Sequence, residues 1–246
     1  PATARWIMVA GVGPTVGATT LTALLTWVYA AHRRYRIAAV DASPTSGALG
    51  IRLGIPGVAT VAEVAAAAPD LTSFKRLGPY LDRTSQGCWA VAGRVAAELD
   101  VAQCRAAIAA MTGFFAVGLV DCGPTGTATA DALLDAAHAR LLVAPVTVEG
   151  VLGAASALDW LSDRAGDDSA WHCGVALVST TQRPDTDVGW AARLLTGRGG
   201  RVIPVPYDPG LVPGGLLTPG AVSDGALGAA RRLATEMLSR STRVEA

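Results

Sequence analysis

Short apolar runs without polar alternation recur along the whole chain of 246 residues and constrain its fold more than any other feature. A strand with one face in water alternates apolar and polar residues, whereas a strand covered on both faces is apolar throughout. These runs therefore predict strands of a buried, mostly parallel sheet. The predicted strands are Arg5–Ala10, Arg36–Val40, Cys88–Ala92, Ala116–Val120, Ala139–Ala144, Cys173–Ser179 and Arg201–Val205.

Stretches with helical patterns separate these strands. The predicted helices are Thr19–His32, Val58–Ala68, Val101–Met111, Glu149–Ala165, Asp187–Thr196 and Asp224–Ser239. Alternating strands and helices require right-handed crossovers between neighbouring parallel strands. The sequence therefore predicts an α/β fold, a doubly wound, mostly parallel seven-stranded sheet with helices on both faces. No change in composition marks a second domain, so residues 1–246 are expected to form a single one.

Two of the predicted helices allow alternative interpretations. Glu149–Ala165 places Leu152, Ser156 and Trp160 on one stripe, which suits either a dimer face or the core. The last helix, Asp224–Ser239, has an apolar face that either packs on the sheet or binds a membrane surface. Core packing is the preferred interpretation of the last helix, because only a short polar tail follows it.

A glycine-rich loop, Gly11–Thr20, follows the first strand and leads into a helix. Such a loop exposes backbone N–H groups at the helix N-terminus, where they form a site for phosphate. A complete phosphate-binding loop of this type ends in Gly-Lys-Ser/Thr, in which the lysine reaches the phosphates and the hydroxyl binds Mg²⁺. Here Ala18 stands at the lysine position, before Thr19. The alternative is a tight turn with Thr19 or Thr20 as a helix cap.

Two aspartates end apolar strands of the predicted sheet. Asp41 follows the second strand and Asp121 follows the fourth. A carboxylate at this position helps to hold Mg²⁺ in phosphate-transferring proteins. Each aspartate alone is more commonly a cap of a turn or helix. Together with the glycine-rich loop after the first strand, however, they make three such strand ends in the correct order, which favours a nucleotide site.

At this point the chain resembles the MinD/ParA family of P-loop ATPases from end to end. Gly13–Thr20 is similar to the deviant Walker A loop of that family, with Gly13 and Ala18 at its two lysine positions. Val40–Gly47 resembles its Val-Asp-x-Asp-Pro segment, although Ser43 replaces the second aspartate, and Asp121–Pro124 resembles its Walker B end. Leu142–Pro145 resembles the next strand, and Ile203–Leu211 resembles the loop beside the adenine.

The resemblance implies a set of site residues. The implied nucleotide-binding residues are Gly13, Pro14, Thr15, Val16, Gly17, Ala18, Thr19, Thr20, Pro204, Pro206 and Tyr207. The implied Mg²⁺ ligands are Thr19, Asp41 and Asp121. Asp41 is also the only candidate catalytic residue, since Ser43 stands where the family has the acid that orients the attacking water.

Loss of both lysines weakens the expected chemistry. Each charge-assisted hydrogen bond to a phosphate contributes about 1.5–3 kcal/mol, so binding of ATP or ADP with Mg²⁺ is expected to be weak and hydrolysis weaker or absent. The resemblance then implies an accessory protein of a secretion, pilus or conjugation machine, as in CpaE/TadZ-type or type VII secretion-associated MinD-like proteins. The alternatives are a nucleotide-free scaffold and an active ATPase that uses arginine in place of lysine.

The composition of the chain limits the kinds of partner and the location that can be expected. The chain carries 20 Lys and Arg against 20 Asp and Glu, so nothing global attracts DNA. The resemblance to the MinD/ParA family implies protein partners and a homodimer instead. Only one of these cations is a lysine, Lys75, far from the glycine-rich loop in sequence. The four cysteines form no CxxC pair and fit a cytoplasmic protein. No stable membrane insertion is expected, although recruitment to a membrane-bound assembly is compatible with the resemblance.

Overall fold

A computed structural model describes residues 4–31, 34–44, 48–93, 99–165, 173–184, 186–218 and 220–242. Within them the chain forms one sheet of eight strands in the order β3-β4-β2-β5-β1-β6-β7-β8. The strands are β1 (Arg5–Gly11), β2 (Ile37–Asp41), β3 (Asp82–Arg83), β4 (Trp89–Val91), β5 (Val117–Pro124), β6 (Ala139–Pro145), β7 (Cys173–Val178) and β8 (Arg201–Val205). All neighbours pair in parallel except β3 and β4.

The sequence prediction of an α/β fold with a mostly parallel sheet is confirmed, and all seven predicted strands are present. The prediction of seven strands is one short, because β3 was not foreseen. This strand has two residues and pairs antiparallel with β4 at the edge of the sheet. A run of two residues is too short to show any hydrophobic period.

The helices alternate with the strands as predicted. They are α1 (Ala18–Ala30), α2 (Ala48–Leu53), α3 (Val61–Ala67), α4 (Phe74–Leu77), α5 (Val101–Thr112), α6 (Ala128–Asp135), α7 (Val148–Ala165), α8 (Val188–Thr196) and α9 (Asp224–Ser241). The short helices α2, α4 and α6 were not predicted, because four to eight residues give little periodicity. His32, at the end of a predicted helix, and residues 45–47 of a predicted motif lie outside the described residues.

Two apolar layers cover the two faces of the sheet. Trp6 and Met8 of β1 point to the face covered by α3, α5, α6, α7 and α8, whereas Ile7 and Val9 point to the face covered by α1, α2 and α9. Side chains of successive strand residues alternate between faces, so a strand that is apolar at every position serves both layers. This arrangement explains why the strands lack polar alternation.

The burial of individual side chains decides between the alternative interpretations of helices α7 and α9. Leu233 and Met237 of α9 are completely buried, so the final helix packs on the sheet. On α7 the buried side carries Val151 and Leu158, whereas Leu152 is 54% exposed. The core interpretation of the stripe is therefore wrong for Leu152 and Ser156, which are exposed, whereas Trp160 is partly buried and packs against the core.

The strand order also determines where a ligand site forms. The chain leaves β1 through α1 on one face of the sheet and leaves β5 through α6 on the other. The two connections diverge at the carboxyl ends of these neighbouring strands and open a crevice there. In open α/β sheets, ligands bind in such a crevice.

Candidate functional site

The loop between β1 and α1 is a tight turn that depends on its glycines. An added Cβ at Gly11 would lie 2.6 Å from a Val16 methyl carbon, so only glycine fits there. Gly17 has a φ of 98° and is the N-cap of α1, with no side chain to cap the helix. The first N–H groups of α1 are thus left for an anion, and neither Thr19 nor Thr20 is the helix cap.

Thr15 also adopts a left-handed conformation, with a φ of 57°. A β-branched residue avoids this region because its Cβ crowds the backbone. No other described residue except glycine has a positive φ. The sequence therefore forms a loop of phosphate-binding shape at a conformational cost.

A cavity of about 600 Å³ lies over this loop, within the size range of small-molecule sites. Of the residues predicted to bind nucleotide, those that line it are Gly13, Pro14, Thr15, Val16, Gly17, Ala18, Thr19, Thr20, Pro206 and Tyr207. The structure does not bring Pro204 to the cavity, because that residue is exposed on β8, and Val205 lines it instead. The wall is completed by Asp208 and Leu211, from the segment that resembles the adenine loop, and by residues that the sequence did not indicate, namely Val178, Ser179, Thr180 and Val212.

The two aspartates lie side by side beneath the cavity. Asp41 and Asp121 are directly opposite each other in the β2–β5 register, and both are completely buried. The Asp41 carboxylate accepts hydrogen bonds from the N–H groups of Ser43 and Leu49, each at 3.2 Å. These bonds make Asp41 the anchor of the β2–α2 connection, which agrees with its interpretation as a cap.

Asp121 is less completely bonded. Its Oδ1 accepts a hydrogen bond from the Gly123 N–H at 3.1 Å, whereas its buried Oδ2 has no hydrogen-bond partner among the described residues. A buried acceptor without a partner costs about 1–3 kcal/mol. This atom is therefore a candidate ligand for a cation that approaches from the P-loop.

The carboxyl pair resists full ionisation. Burial, with a contribution from the nearby Asp121 charge, raises the pKa of Asp41 to about 7, although N–H groups of Ser43, Leu49 and Gly93 oppose the shift. Burial also raises the pKa of Asp121, against the effects of Thr19, Gly123 and Arg52. Two adjacent buried carboxyls therefore hold a proton near neutral pH, and a divalent cation would displace it.

The single lysine lies at the opposite end of the sheet. Lys75 is exposed on α4, next to Phe74. The Phe74 ring centroid lies 6.1 Å from that of Phe115, which precedes β5, and 4.1 Å from the guanidinium carbon of Arg36, which precedes β2. These contacts place Lys75 at the amino edge of the strands, whereas the cavity lies at the carboxyl edge. Lys75 does not supply the charge that the P-loop lacks.

Arg52 is the cation that the structure brings to the cavity wall. It lies on α2, and its charge is close enough to oppose the rise that burial causes in the pKa of Asp121. An arginine in place of the lysine was one of the alternatives that the sequence left open, but nothing in the sequence placed Arg52 at this cavity. Ser43, at the position of the family's second acid, also lines the cavity.

The residues present fit a nucleotide with Mg²⁺. The described residues include no group of three or more His, Cys, Asp or Glu that could hold a metal by itself. Mg²⁺ at phosphate sites is normally held by one or two carboxylates together with the phosphates themselves. The Thr19 hydroxyl and the unpaired Asp121 Oδ2 meet that requirement, and the backbone N–H groups of the loop face the phosphate position.

Fold and loop together define a P-loop type of α/β architecture, and comparison with known proteins agrees. No protein-family model and no curated protein matches the chain. Among solved structures, the ParA family ATPase from Chlorobium tepidum TLS is similar with a TM-score of 0.74 at 14% identity, over 97% of this chain and 96% of that chain. These values establish a common fold.

Two further solved structures are informative. A chain of the MinC:MinD cell division protein complex from Aquifex aeolicus has a TM-score of 0.70 at 18% identity, over 94% of this chain and 96% of that chain. The septum site-determining protein MinD complexed with Mg-ADP from Pyrococcus horikoshii OT3 has a TM-score of 0.70 at 18% identity, over 98% and 100%. The structural neighbours of this chain are thus ParA and MinD ATPases.

Proposed function

We propose that the chain is a MinD/ParA-like accessory protein that binds a Mg²⁺-nucleotide weakly, hydrolyses it little or not at all, and positions or regulates a secretion, pilus or conjugation machine. One observation carries the proposal. A lysine-free P-loop forms the floor of a cavity at the switch point of the sheet, where ten of the residues expected to bind nucleotide come together. The degenerate loop favours a CpaE/TadZ-type or type VII secretion-associated branch.

Each part of the cavity has a role in this proposal. Backbone N–H groups of Gly13 and of residues 15–20 bind the phosphates, the Thr19 hydroxyl and Asp121 hold Mg²⁺, and Pro206 and Tyr207 contact the base. The bound Mg²⁺ would neutralise phosphate charge. The structural neighbour MinD from Pyrococcus horikoshii OT3 was solved in complex with Mg-ADP, which supports this type of ligand.

The proposal of weak hydrolysis rests on missing charge. Phosphoryl transfer depends on positioning and on cations that stabilise the transition state. Position 18 is alanine, and position 43 offers a hydroxyl in place of a carboxylate. The Ser43 hydroxyl lies against Gly123, where an added Cβ would be 2.9 Å from its oxygen. A serine so placed does not orient a water molecule as an acid does.

Exposed apolar residues around the cavity support a protein partner or a homodimer. Val148 and Leu152, at the start of α7, are 56% and 54% exposed. Gly153 packs against Val12 of the P-loop, so this end of α7 lies beside the nucleotide cavity. Val212 and Leu216, on the loop after β8, are similarly exposed. A nucleotide-dependent partner would contact this surface. A chain of the MinC:MinD complex from Aquifex aeolicus, in which two proteins associate, is among the structural neighbours and supports a protein partner in general.

The proposal also includes a cytoplasmic location with recruitment to a membrane-bound assembly. Among the described residues, no helix combines the length and apolar character needed to cross a membrane. In this proposal, attachment comes through a protein partner, by way of the exposed surface beside the cavity.

Isothermal titration calorimetry with Mg-ADP and Mg-ATP tests the proposal, together with a phosphate-release assay. We expect binding that Thr19→Ala weakens, and turnover at background. Absence of any heat at millimolar nucleotide would replace the proposal with the nucleotide-free scaffold. Turnover on the order of 1 s⁻¹, abolished by Thr19→Ala, would instead establish an active ATPase that uses arginine.

A further inference from the structure

Arg52 has buried side-chain donor atoms that lack hydrogen-bond partners in the described part of the chain. Its side chain lines the nucleotide cavity, and its Nε and Nη1 atoms are buried without a hydrogen-bond partner among the described residues. Arg52 as a whole is only partly buried. Two unpaired donors that have lost water are still unfavourable, because arginine stays protonated. A site that maintains this arrangement is suited to an anion that pairs with the guanidinium.

The position of Arg52 is fixed from two sides. The segment that leads into its helix is anchored by Asp41, whose carboxylate accepts the Leu49 N–H. The Arg52 carbonyl accepts the Leu217 N–H at 3.0 Å, which attaches the loop after β8 to α2. In that loop an added Cβ on Gly214 would lie 3.2 Å from Arg52 Nη2. The glycine backbone therefore packs directly against the guanidinium.

The charges around Arg52 point to the phosphate end of the cavity. Burial lowers its pKa, and the nearby charge of Asp121 raises it. Asp121 in turn lies beside Thr19, the P-loop hydroxyl. A buried carboxylate oxygen and a buried guanidinium thus each have unpaired atoms within electrostatic reach of one another. A metal-bound phosphate between them would satisfy both, with the metal on the carboxylate and the phosphate on the arginine.

We propose that Arg52 is the phosphate-binding cation of this protein, reaching the nucleotide from α2 in place of the lysine that the P-loop lacks. This inference rests on the proposed function. It also names the ligand class, a nucleotide phosphate, since a planar guanidinium binds two oxygens of one phosphate group at once. Because Arg52 contacts the loop after β8, phosphate binding is coupled to the wall that holds Leu211 and Val212.

Calorimetry with Mg-ADP on the full chain tests the inference, with Arg52→Gln, Arg52→Lys and a matched Arg231→Gln control. Arg231 is an exposed arginine of α9 that does not line the cavity. We expect Arg52→Gln to weaken Mg-ADP binding by about 10- to 100-fold, Arg52→Lys to retain part of the affinity, and Arg231→Gln to bind normally. We also expect the nucleotide-free Arg52→Gln protein to melt no lower than wild type, because no described hydrogen bond is lost.

The outcomes separate this inference from the function on which it rests. Wild-type binding of Mg-ADP with undiminished binding by Arg52→Gln overturns the inference alone. A lower melting temperature for Arg52→Gln, with Arg52→Lys equally weakened, shows a structural role and overturns it as well. No binding of Mg-ADP by the wild type overturns the proposed function, and the inference with it.

Discussion

Replacing Ala18 with lysine tests whether the cavity lacks only charge. Ala18 is the first residue of α1, 8% exposed, and it lines the cavity floor. Helical geometry at this position does not depend on the side chain, because the turn is set by Gly17 at a φ of 98°. A lysine would carry its ammonium group along the cavity wall toward the phosphates. A charge-assisted hydrogen bond contributes about 1.5–3 kcal/mol, which corresponds to a gain of about 10- to 150-fold in affinity.

The expected gain lies toward the lower end of that range. Pro14 has no N–H group to donate, and Thr15 holds the loop in a strained form at a φ of 57°. A lysine side chain also loses up to about 2 kcal/mol of conformational entropy when it is ordered. We therefore expect Ala18→Lys to tighten Mg-ADP binding by roughly 10-fold.

The assay is calorimetry with Mg-ADP, with Ala18→Met as the matched control. Methionine is unbranched and fills similar space without charge, so it reports any blockage of the cavity. We expect Ala18→Lys to bind more tightly than wild type and Ala18→Met to bind no more tightly. An Ala18→Lys protein that melts normally yet gains no affinity would refute the reasoning, since the cavity would then be closed by its shape.

Two further outcomes follow from local strain and burial. Thr15→Gly should raise the free energy of unfolding in urea by about 0.5–1 kcal/mol. The reason is that relief of about 1–2 kcal/mol of strain in the left-handed backbone exceeds the extra conformational entropy that glycine loses on folding. The control Thr72→Gly, at an exposed position without positive φ, should lower the free energy of unfolding. Equal losses would contradict the Thr15 conformation. The raised pKa of Asp41, about 7, means that the folded state binds more protons than the unfolded state between about pH 4 and 7, so stability without Mg²⁺ should fall as pH rises through that window. Asp41→Asn should reduce this fall, and an identical pH profile for both proteins would contradict the assignment.

The parts of the site that lie close together in sequence could be predicted from it. Residues 13–20 are continuous in sequence and comprise the loop after β1 and the first residues of α1. Gly11 and Gly17, on either side of the loop, show its shape before any tertiary contact is known. Asp41 and Asp121 could be placed because both end apolar strands. The sheet could be predicted as well, since a strand buried on both faces carries its signal at every position.

The rest of the cavity depends on tertiary structure that no local pattern encodes. Ser179 and Thr180 reach it because β7 ends at the same edge as β1, two strands away. Arg52 reaches it because a six-residue helix, α2, folds back beneath the loop after β8. Pro204 misses it because the wall begins one residue later, at Val205. Arginines are common on short helices, and nothing in the sequence sets Arg52 apart from the others.

The charges of the site set one more expectation, the dependence of binding on Mg²⁺. A lysine-bearing P-loop brings its own cation to the phosphates, whereas here the carboxyl pair contributes negative charge and Arg52 is the cation on the wall. Mg²⁺ must then supply most of the neutralisation of phosphate charge, so chelation of Mg²⁺ should abolish ADP binding.

Because the pKa of Asp41 is raised to about 7, binding of Mg²⁺ should also displace a proton below this pH. Calorimetry of Mg-ADP in buffers of different ionisation enthalpy should show proton release at about pH 6.5 that fades by about pH 8.5, and the release should shrink in Asp41→Asn. ADP binding that persists in chelator, or proton release that does not change with pH, would show that the metal does not meet these carboxyls.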